Sequence, residues 1–169
     1  MSLQVVCRGP AATQAVASAI AGTLLPGDVL LLDGDLGAGK TTFTQGLARA
    51  MGVGEAVTSP TFSLVRSYPT AFGVELIHVD VYRLDTLADI IALGLPEMLE
   101  DGAVAVIEWG EKAAPALGSE HLDIRFALTD LDGERRLDIG PSGSRWLSRW
   151  EDLAAAVAGV PAVKGIAAP

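Results

Sequence analysis

Apolar residues along this chain follow two kinds of pattern, continuous runs and helically spaced positions. Three short segments, at residues 3–7, 28–34 and 102–110, are mostly apolar, which is typical of strands that are buried on both faces of a sheet. Between and after these runs, apolar residues recur with the spacing of amphipathic helices. This spacing predicts helices over residues 12–25, 41–52, 87–99 (as one helix or as two short ones) and 144–157.

Two further pairs of segments have the pattern of antiparallel strands. Residues 61–68 and 74–82 are predicted to be strands that a turn joins, and residues 122–130 and 133–141 are predicted to form a hairpin. Helices alternate with buried strands early in the chain, and a hairpin comes late. The chain is therefore predicted to adopt a three-layer α/β fold with a mixed, mostly parallel central sheet.

The composition indicates one globular domain. With 169 residues, of which 50% are hydrophobic, the chain can form one substantial core. The domain is predicted to span residues 1–154, and the low-complexity stretch 155–169 is expected to be disordered. The single cysteine excludes an intrachain disulfide framework. No segment has the pattern of a membrane span or a signal peptide, so a cytoplasmic location is expected.

The net charge bears on the choice of partner. The chain carries 12 basic and 21 acidic residues, a formal net charge of −9. A protein that grips nucleic acid by itself usually presents a basic patch to the phosphates. Strong direct binding of RNA or DNA is therefore not expected, although action on nucleic acid through a partner stays open.

A glycine-rich stretch between a predicted strand and a predicted helix carries the clearest chemical signal. Residues 34–41 read GDLGAGKT, which satisfies the phosphate-loop pattern G-x-x-x-x-G-K-[ST]. The glycines let backbone N–H groups surround anionic oxygens, the lysine reaches the β and γ phosphates, and the hydroxyl is a ligand for Mg²⁺. The sequence thus predicts a P-loop NTPase domain. Its candidate nucleotide-binding residues are Gly37, Ala38, Gly39, Lys40, Thr41 and Thr42, with Lys40 also catalytic and Thr41 also a metal ligand.

The identity of the nucleotide follows from a missing residue type. GTPases read guanine with an Asn-Lys-x-Asp loop, and this chain contains no asparagine. GTP recognition by that route is excluded, and ATP is the expected nucleotide. The Leu-Ser-Gly-Gly-Gln signature of transporter-type ATPases is also absent.

Two carboxylates at the ends of predicted strands are candidates to complete the site. Asp80 follows Leu-Ile-His-Val, and Glu108 follows Ala-Val-Ala-Val-Ile. Phosphoryl chemistry at a phosphate loop needs such acids to hold Mg²⁺ and to orient a nucleophile. Glu108 is the preferred metal ligand because its strand is more uniformly apolar. Asp80 is either a second metal acid or the group that positions water.

Other polar residues near these acids allow two interpretations each. His78 shares a strand face with Asp80 and is interpreted as a packed polar residue in preference to a base. The loop that contains Ser59, Pro60 and Thr61 either orders around phosphate and Mg²⁺ or is a capped turn. Trp109 either stacks on a partner or caps the core.

Together these segments resemble the bacterial TsaE (YjeE-like) family. The resemblance rests on GDLGAGKTT at 34–42, TSPTF at 58–62, HVDVYRL at 78–84 and IEWGE at 107–111. These motifs lie within residues 10–125, and their combination is far more specific than the phosphate loop alone. Members of that family are small ATPases of tRNA threonylcarbamoyladenosine synthesis.

The resemblance implies a function and roles for particular residues. The protein would bind and slowly hydrolyse ATP with Mg²⁺. It would act on the complex of the threonylcarbamoyl transferase, which modifies adenosine-37 of tRNA, and that transferase's inactive paralogue. Glu108 matches the family's metal-associated acid and Asp80 its Walker-B-like acid. The TSPTF segment matches a switch-like loop, and Thr13 and Arg135 are candidates for the adenine pocket.

Two other functions are compatible with a phosphate loop. A small-molecule kinase would need an acceptor pocket and usually an arginine-bearing lid, but Arg66 and Arg83 are isolated in the sequence. A nucleotide-sensing module would bind ATP tightly without turnover, even with its partners present.

Overall fold

An eight-stranded sheet forms the centre of the computed structural model of this chain, which describes residues 1–161 in full and the backbone of 163–167. The strands are β1 (Leu3–Arg8), β2 (Val29–Gly34), β3 (Val65–Pro69), β4 (Glu75–Asp80), β5 (Val104–Glu108), β6 (His121–Leu128), β7 (Glu134–Ser142) and β8 (Val163–Ala167). They lie in the order β3-β4-β5-β2-β6-β7-β1-β8. The strand that precedes the phosphate loop, β2, is therefore central.

The helices lie on both faces of this sheet. They are α1 (Gly9–Ala21), α2 (Lys40–Ala50), α3 (Leu87–Ile91), α4 (Leu95–Glu100), α5 (Ala114–Leu117), α6 (Ser144–Leu147) and α7 (Trp150–Ala158), with a short 3₁₀ turn at Gly110–Lys112. The predicted helix over 87–99 is the pair α3 and α4, which Gly94 separates with a left-handed φ of 70°. The predicted helix over 144–157 is likewise divided into α6 and α7.

The sheet is parallel where the candidate site lies and antiparallel at its flanks. Strands β4, β5, β2 and β6 pair in parallel, whereas β3, β7, β1 and β8 join through antiparallel ladders. In the described chain, five strands (β1, β2, β4, β5 and β6) thus run one way and three run the other. The predicted three-layer α/β fold with a mixed, mostly parallel sheet is confirmed.

Two apolar layers hold the helices to the sheet. Successive residues of a strand point to opposite faces, so Leu30 and Leu32 of β2 pack under α1, α2 and α7, and Leu31 packs under α3 and α4. All three leucines are 0% exposed. Both faces of β2 are therefore covered, as its continuous apolar run predicts.

The third strand begins later than the sequence pattern predicts. Residues 61–64 are in a turn, and β3 begins only at Val65. The Leu64 N–H donates to the carbonyl of Pro60 at 2.6 Å, and Leu64 adopts a left-handed φ of 66°. The prediction of a strand over 61–68 is therefore wrong at its start, because local hydrogen bonds replace the strand ladder there.

The expectation of a disordered tail is also wrong in the part that the structure describes. Helix α7 continues to Ala158, and β8 pairs antiparallel with β1. Pairing with β1 provides hydrogen-bond partners for the backbone of β8. The composition of the tail does not reveal this pairing. Residues 162, 168 and 169 lie outside the described residues. Across the described chain, the helices fall short of the length and hydrophobicity that a bilayer crossing requires.

Candidate nucleotide site

The phosphate loop joins the end of β2 to the start of α2. Gly34, with φ 142°, passes so close to β6 that a Cβ there would lie 2.5 Å from the carbonyl oxygen of Phe126. Gly37 and Gly39 have left-handed φ values of 78° and 110° and open space around them. A loop of this shape, which leads into the N-terminus of a helix, suits a phosphate group.

Lys40 is the first residue of α2 and its side chain lies in the loop. It is only 4% exposed, and its Nζ donates to the carbonyls of Gly34 at 2.6 Å and Asp35 at 3.0 Å. The Nζ also lies 4.1 Å from the centre of the Trp109 ring. Burial lowers the pKa of Lys40, although the nearby Glu108 carboxylate opposes this shift. The Lys40 ammonium is thus held at the loop, where it can attract an anion.

Glu108 ends the neighbouring strand β5 and is held by two side chains. Thr41 donates its hydroxyl to Glu108 Oε1 at 2.8 Å, and His78 Nε2 lies 2.9 Å from the same oxygen. Glu108 is 4% exposed and His78 is 0% exposed. The second residue of α2 is therefore joined directly to the carboxyl end of a parallel strand, an arrangement of oxygen atoms that suits Mg²⁺.

Asp80 ends β4 and pairs in register with Glu108. Its Oδ2 accepts hydrogen bonds from the hydroxyls of Ser59 at 3.2 Å and Thr61 at 3.1 Å. Its Oδ1 accepts from the backbone N–H of Tyr82 at 2.9 Å. The loop that precedes β3 is thus attached to this acid, whereas Glu108 is attached to the phosphate loop.

Trp109 covers the lysine from the side of β5. Its backbone is left-handed with φ 62°, and its N–H donates to the carbonyl of Leu32 at 2.8 Å. Its ring packs against that of Tyr82 with centroids 4.9 Å apart. Next along the chain, a Cβ at Gly110 would lie 2.5 Å from Leu31 Cβ. The close packing at Gly110 and the hydrogen bond to Leu32 fix the indole beside the phosphate loop.

These residues enclose an open cleft of about 350 Å³. Most residues from the predicted phosphate, metal and switch-loop sets meet in it. It is lined by Leu36, Gly37, Gly39, Lys40, Thr41, Thr42, Ser59, Thr61, Asp80, Tyr82, Glu108 and Trp109. Pro60 lies between two lining residues and is buried.

A second cleft of about 350 Å³ adjoins the other side of the phosphate loop. Its lining includes both candidates for the adenine pocket, Thr13 of α1 and Arg135 of β7, beside Ala38 and Thr42. Thr13 is 2% exposed. The backbone N–H of Gly9 donates to the carbonyl of Gly133 at 2.8 Å and joins the two walls. The two candidates thus lie together, next to the predicted phosphate site.

Three residues that shape the site have no role predicted from the sequence. Tyr82 lines the first cleft, and its position two residues after Asp80 is the signal that could have identified it. Asp33 accepts the Glu111 N–H at 3.0 Å and 3.1 Å through its two oxygens, and burial raises its pKa. Lys112 donates to the carbonyls of Tyr82 and Leu84 at 2.9 Å and 3.2 Å. Asp33 and Lys112 fasten the turn that follows Trp109.

The residues of the first cleft fit a magnesium nucleotide. The Thr41 hydroxyl and the Glu108 carboxylate are oxygen donors in mutual contact, and Lys40 lies beside them. Within residues 1–161, no three His, Cys, Asp or Glu side chains form a metal-binding group of their own. That is compatible with Mg²⁺ at a phosphate loop, where phosphates and water supply most of the ligands.

Comparisons with known proteins identify the family. The model described as "Threonylcarbamoyl adenosine biosynthesis protein TsaE" matches residues 7–137. Two relatives named "tRNA threonylcarbamoyladenosine biosynthesis protein TsaE" come from Bacillus subtilis and Streptomyces coelicolor. The first is 38% identical over 144 residues (85% of this chain and 89% of the relative). The second is 42% identical over 132 residues (75% and 88%).

A further relative of that name, from Mycobacterium bovis, is 46% identical over 122 residues, which are 68% of this chain and 72% of the relative. The crystal structure of Bacillus subtilis YdiB superimposes with a TM-score of 0.77 at 33% identity, over 92% of this chain and 95% of that one. The family match spans both clefts up to β7, including the phosphate loop, Asp80, Glu108 and Arg135. The chain therefore belongs to the TsaE family of threonylcarbamoyladenosine biosynthesis proteins.

Proposed function

We propose that this chain is a Mg²⁺-dependent ATPase that serves the threonylcarbamoylation of adenosine-37 in tRNA. It acts on the complex of the threonylcarbamoyl transferase and its inactive paralogue, and not on tRNA itself. Family membership supports the pathway. The meeting of Lys40, Thr41 and Glu108 in one cleft is the observation that carries the ATPase activity.

Each residue of the cleft has a chemical task in this proposal. Lys40 binds the β and γ phosphate oxygens, which requires its ammonium to turn from the loop carbonyls towards the nucleotide. Thr41 and Glu108 would hold Mg²⁺, which supplies charge neutralisation on the phosphates when it is bound. Asp80 keeps the loop of Ser59 and Thr61 against the cleft, and Trp109 shields the lysine from water.

Slow hydrolysis by the isolated chain follows from the charge of the cleft. Among its lining residues Lys40 is the only basic one. Charge builds on the phosphoryl oxygens in the transition state, and many P-loop enzymes receive a further cation from a partner to stabilise it. We therefore expect the partner complex to raise turnover. The absence of a second lining cation also disfavours the small-molecule kinase, which usually closes an arginine-bearing lid over the phosphates.

The net charge supports action through protein partners. At −9, the chain lacks the positive charge with which proteins usually hold tRNA phosphates. An accessory ATPase that docks on a transferase complex needs no such surface.

A reconstituted tRNA modification assay tests the proposal. The transferase and its paralogue are combined with tRNA and the activated threonylcarbamoyl donor, and multiple turnovers are followed with and without this chain and ATP. We expect repeated turnover only in the complete mixture. Unchanged modification when the chain is omitted would contradict the role in the pathway.

The matched control is the Lys40→Ala variant at the same concentration. It differs from the original chain at one buried residue and lacks the proposed phosphate ligand. If it supports modification as well as the original chain does, ATP hydrolysis is not the contribution that the complex needs. Normal nucleotide binding without hydrolysis, even with the partners, would instead identify a nucleotide-sensing module.

A further inference from the structure

His78 is a buried polar residue that borders an apolar layer. It lies in β4, is 0% exposed and pairs in register with Val106 of β5. Its face of the sheet is otherwise occupied by residues such as Leu76, Val104 and Val106. An imidazole in such surroundings costs free energy unless it forms hydrogen bonds, so an aliphatic residue would fill this position at a lower cost.

The ring has one polar contact in the described structure, and it is to Glu108. His78 Nε2 lies 2.9 Å from Glu108 Oε1, whereas the buried Nδ1 has no hydrogen-bond partner among the described residues. An ionised carboxylate only accepts hydrogen bonds, so Nε2 must carry a proton to donate. A proton on Nδ1 would be buried without an acceptor, so the fitting tautomer has its single proton on Nε2.

We infer that His78 is a positioning residue for Glu108 and that it acts through the Nε2–H tautomer. Two donors, Thr41 and His78, converge on Oε1 at 2.8 Å and 2.9 Å. They fix the rotation of the carboxylate and leave Oε2, to which no described residue donates, available to the cleft. The inference rests on the proposed function because it takes Glu108 as a ligand of Mg²⁺.

The chemical reason is that a carboxylate ligand binds a metal best when it does not have to be ordered first. Outer partners of metal ligands hold them in orientation, and removal of such a partner typically lowers metal affinity about 10- to 100-fold. Thr41 can give a lone pair to Mg²⁺ and still donate its hydroxyl proton to Glu108, so this contact to Oε1 is compatible with a bound metal. His78 approaches from the buried side and can retain its hydrogen bond.

Calorimetric titration of ADP into three full-length variants tests the inference. His78→Leu fills the space without a donor, His78→Gln retains a donor near the position of Nε2, and Leu76→Ile is a packing control on the same face of β4. Each is titrated with Mg²⁺ and with EDTA, and its thermal unfolding is recorded. We expect His78→Leu to lose about 10- to 100-fold in the Mg²⁺-dependent part of ADP affinity, with the EDTA affinity unchanged.

The pattern across the variants decides the outcome. His78→Gln should recover most of the loss, and Leu76→Ile should bind as the original chain does. Equal Mg²⁺-dependent affinity in His78→Leu and the original chain would overturn the positioning role. If the original chain binds no ADP in either buffer, the proposed function fails by itself, whatever the variants do.

Nitrogen NMR of the unaltered chain tests the tautomer without any substitution. The ¹⁵N shifts of the two ring nitrogens distinguish a protonated from an unprotonated atom. We expect the signal of His78 Nε2 to be that of a protonated nitrogen and the signal of Nδ1 that of an unprotonated one. A proton on Nδ1 would overturn the tautomer, and a proton on Nδ1 alone would also overturn the hydrogen bond, because Nε2 could then only accept, as the carboxylate does.

Discussion

The two acids of the cleft lie in register on adjacent strands but are held by different parts of the molecule. Glu108 accepts hydrogen bonds from Thr41 on α2 and from the buried His78. Asp80 accepts from Ser59 and Thr61, which belong to a loop without regular structure. The end of β5, where Glu108 is joined to a helix and to a core residue, forms a fixed wall of the cleft. The end of β4, where Asp80 is joined to a loop, can change its position with that loop.

Under the proposed function, this difference gives the two similar carboxylates separate tasks. Metal binding benefits from a ligand that is already oriented, which favours Glu108. A response to the nucleotide requires a segment with two arrangements, which favours Asp80 and its loop. The following predictions test the distinction, beginning with the largest expected effect.

Removal of Lys40, the proposed phosphate ligand, should have the greatest effect. We expect Lys40→Ala to lower ATP turnover by about 100- to 1000-fold, the scale on which the loss of one preorganised electrostatic group reduces kcat. Steady-state phosphate release measures this. Thr41→Ser, which keeps the hydroxyl, is the control and should remain within a few-fold of the original chain. Activity in Lys40→Ala equal to that of the original chain would refute the assignment.

Glu108→Gln should separate metal binding from nucleotide binding. The amide preserves the size of the side chain but removes the negative charge that Mg²⁺ prefers. We expect Mg²⁺-dependent turnover to fall by on the order of 100-fold, while ADP affinity in EDTA is retained. Asp80→Asn serves as the comparison. If it shows the same dependence on Mg²⁺ concentration, the two acids share the metal and the contrast between them is wrong.

The loop contact should produce a smaller effect of a different kind. Thr61→Val removes a hydroxyl that donates to Asp80 at 3.1 Å and leaves the shape of the side chain nearly unchanged. A hydrogen bond to a charged group contributes about 1.5–3 kcal/mol, so we expect amide hydrogen exchange at residues 59–64 to accelerate by about tenfold or more. Thr61→Ser should exchange as the original chain does. Unchanged exchange in Thr61→Val would mean that the loop is held by other contacts.

The smallest expected effect is on stability, through the buried charge of Lys40. Burial lowers its pKa from the ordinary value of 10.5, so between the lowered pKa and 10.5 the unfolded chain binds more protons than the folded one. Stability from this group therefore rises with pH in that window, and its full cost is present below the lowered pKa. We expect Lys40→Met to be more stable at pH 7, by about 2–4 °C in Tm if the relief is about 1 kcal/mol.

Calorimetric melting from pH 7 to 10.5 measures this effect. The rise in stability with pH should be shallower in Lys40→Met than in the original chain. A lower Tm for Lys40→Met at pH 7 would show that the hydrogen bonds to Gly34 and Asp35 outweigh the cost of burial. In that case Lys40 would contribute to folding as well as to the proposed binding.

Local sequence patterns predicted the strands and the helix that form the fixed wall. The apolar run before Gly34 and the helical spacing after Lys40 each concern a short stretch of chain, so sequence reasoning could predict β2, α2 and the loop between them. The position of Glu108 after a wholly apolar run likewise pointed to a strand end. What the sequence does not encode locally is strand order, and only the adjacency of β4 and β5 brings His78 to Glu108.

Two departures from prediction involve partners that are distant in sequence. The hydroxyls of Ser59 and Thr61 donate to Asp80, and this contact adds to the local hydrogen bond between Leu64 and Pro60 in residues 59–64, where the predicted strand does not form. The last strand, β8, forms because β1 offers an edge more than 150 residues earlier in the chain. Composition and periodicity reflect only residues that are close together in the sequence, so they cannot predict such contacts.

The placement of Trp109 has an optical consequence. The chain has three tryptophans, and Trp146 and Trp150 are buried in the core at 1% and 7% exposure. Trp109 alone among them lines the cleft, with the Lys40 ammonium 4.1 Å from its ring centre. Indole fluorescence responds to a nearby charge, so movement of Lys40 towards a phosphate would alter the emission of this one residue. The unlabelled protein therefore carries a fluorophore at the place where its ligand is expected to bind.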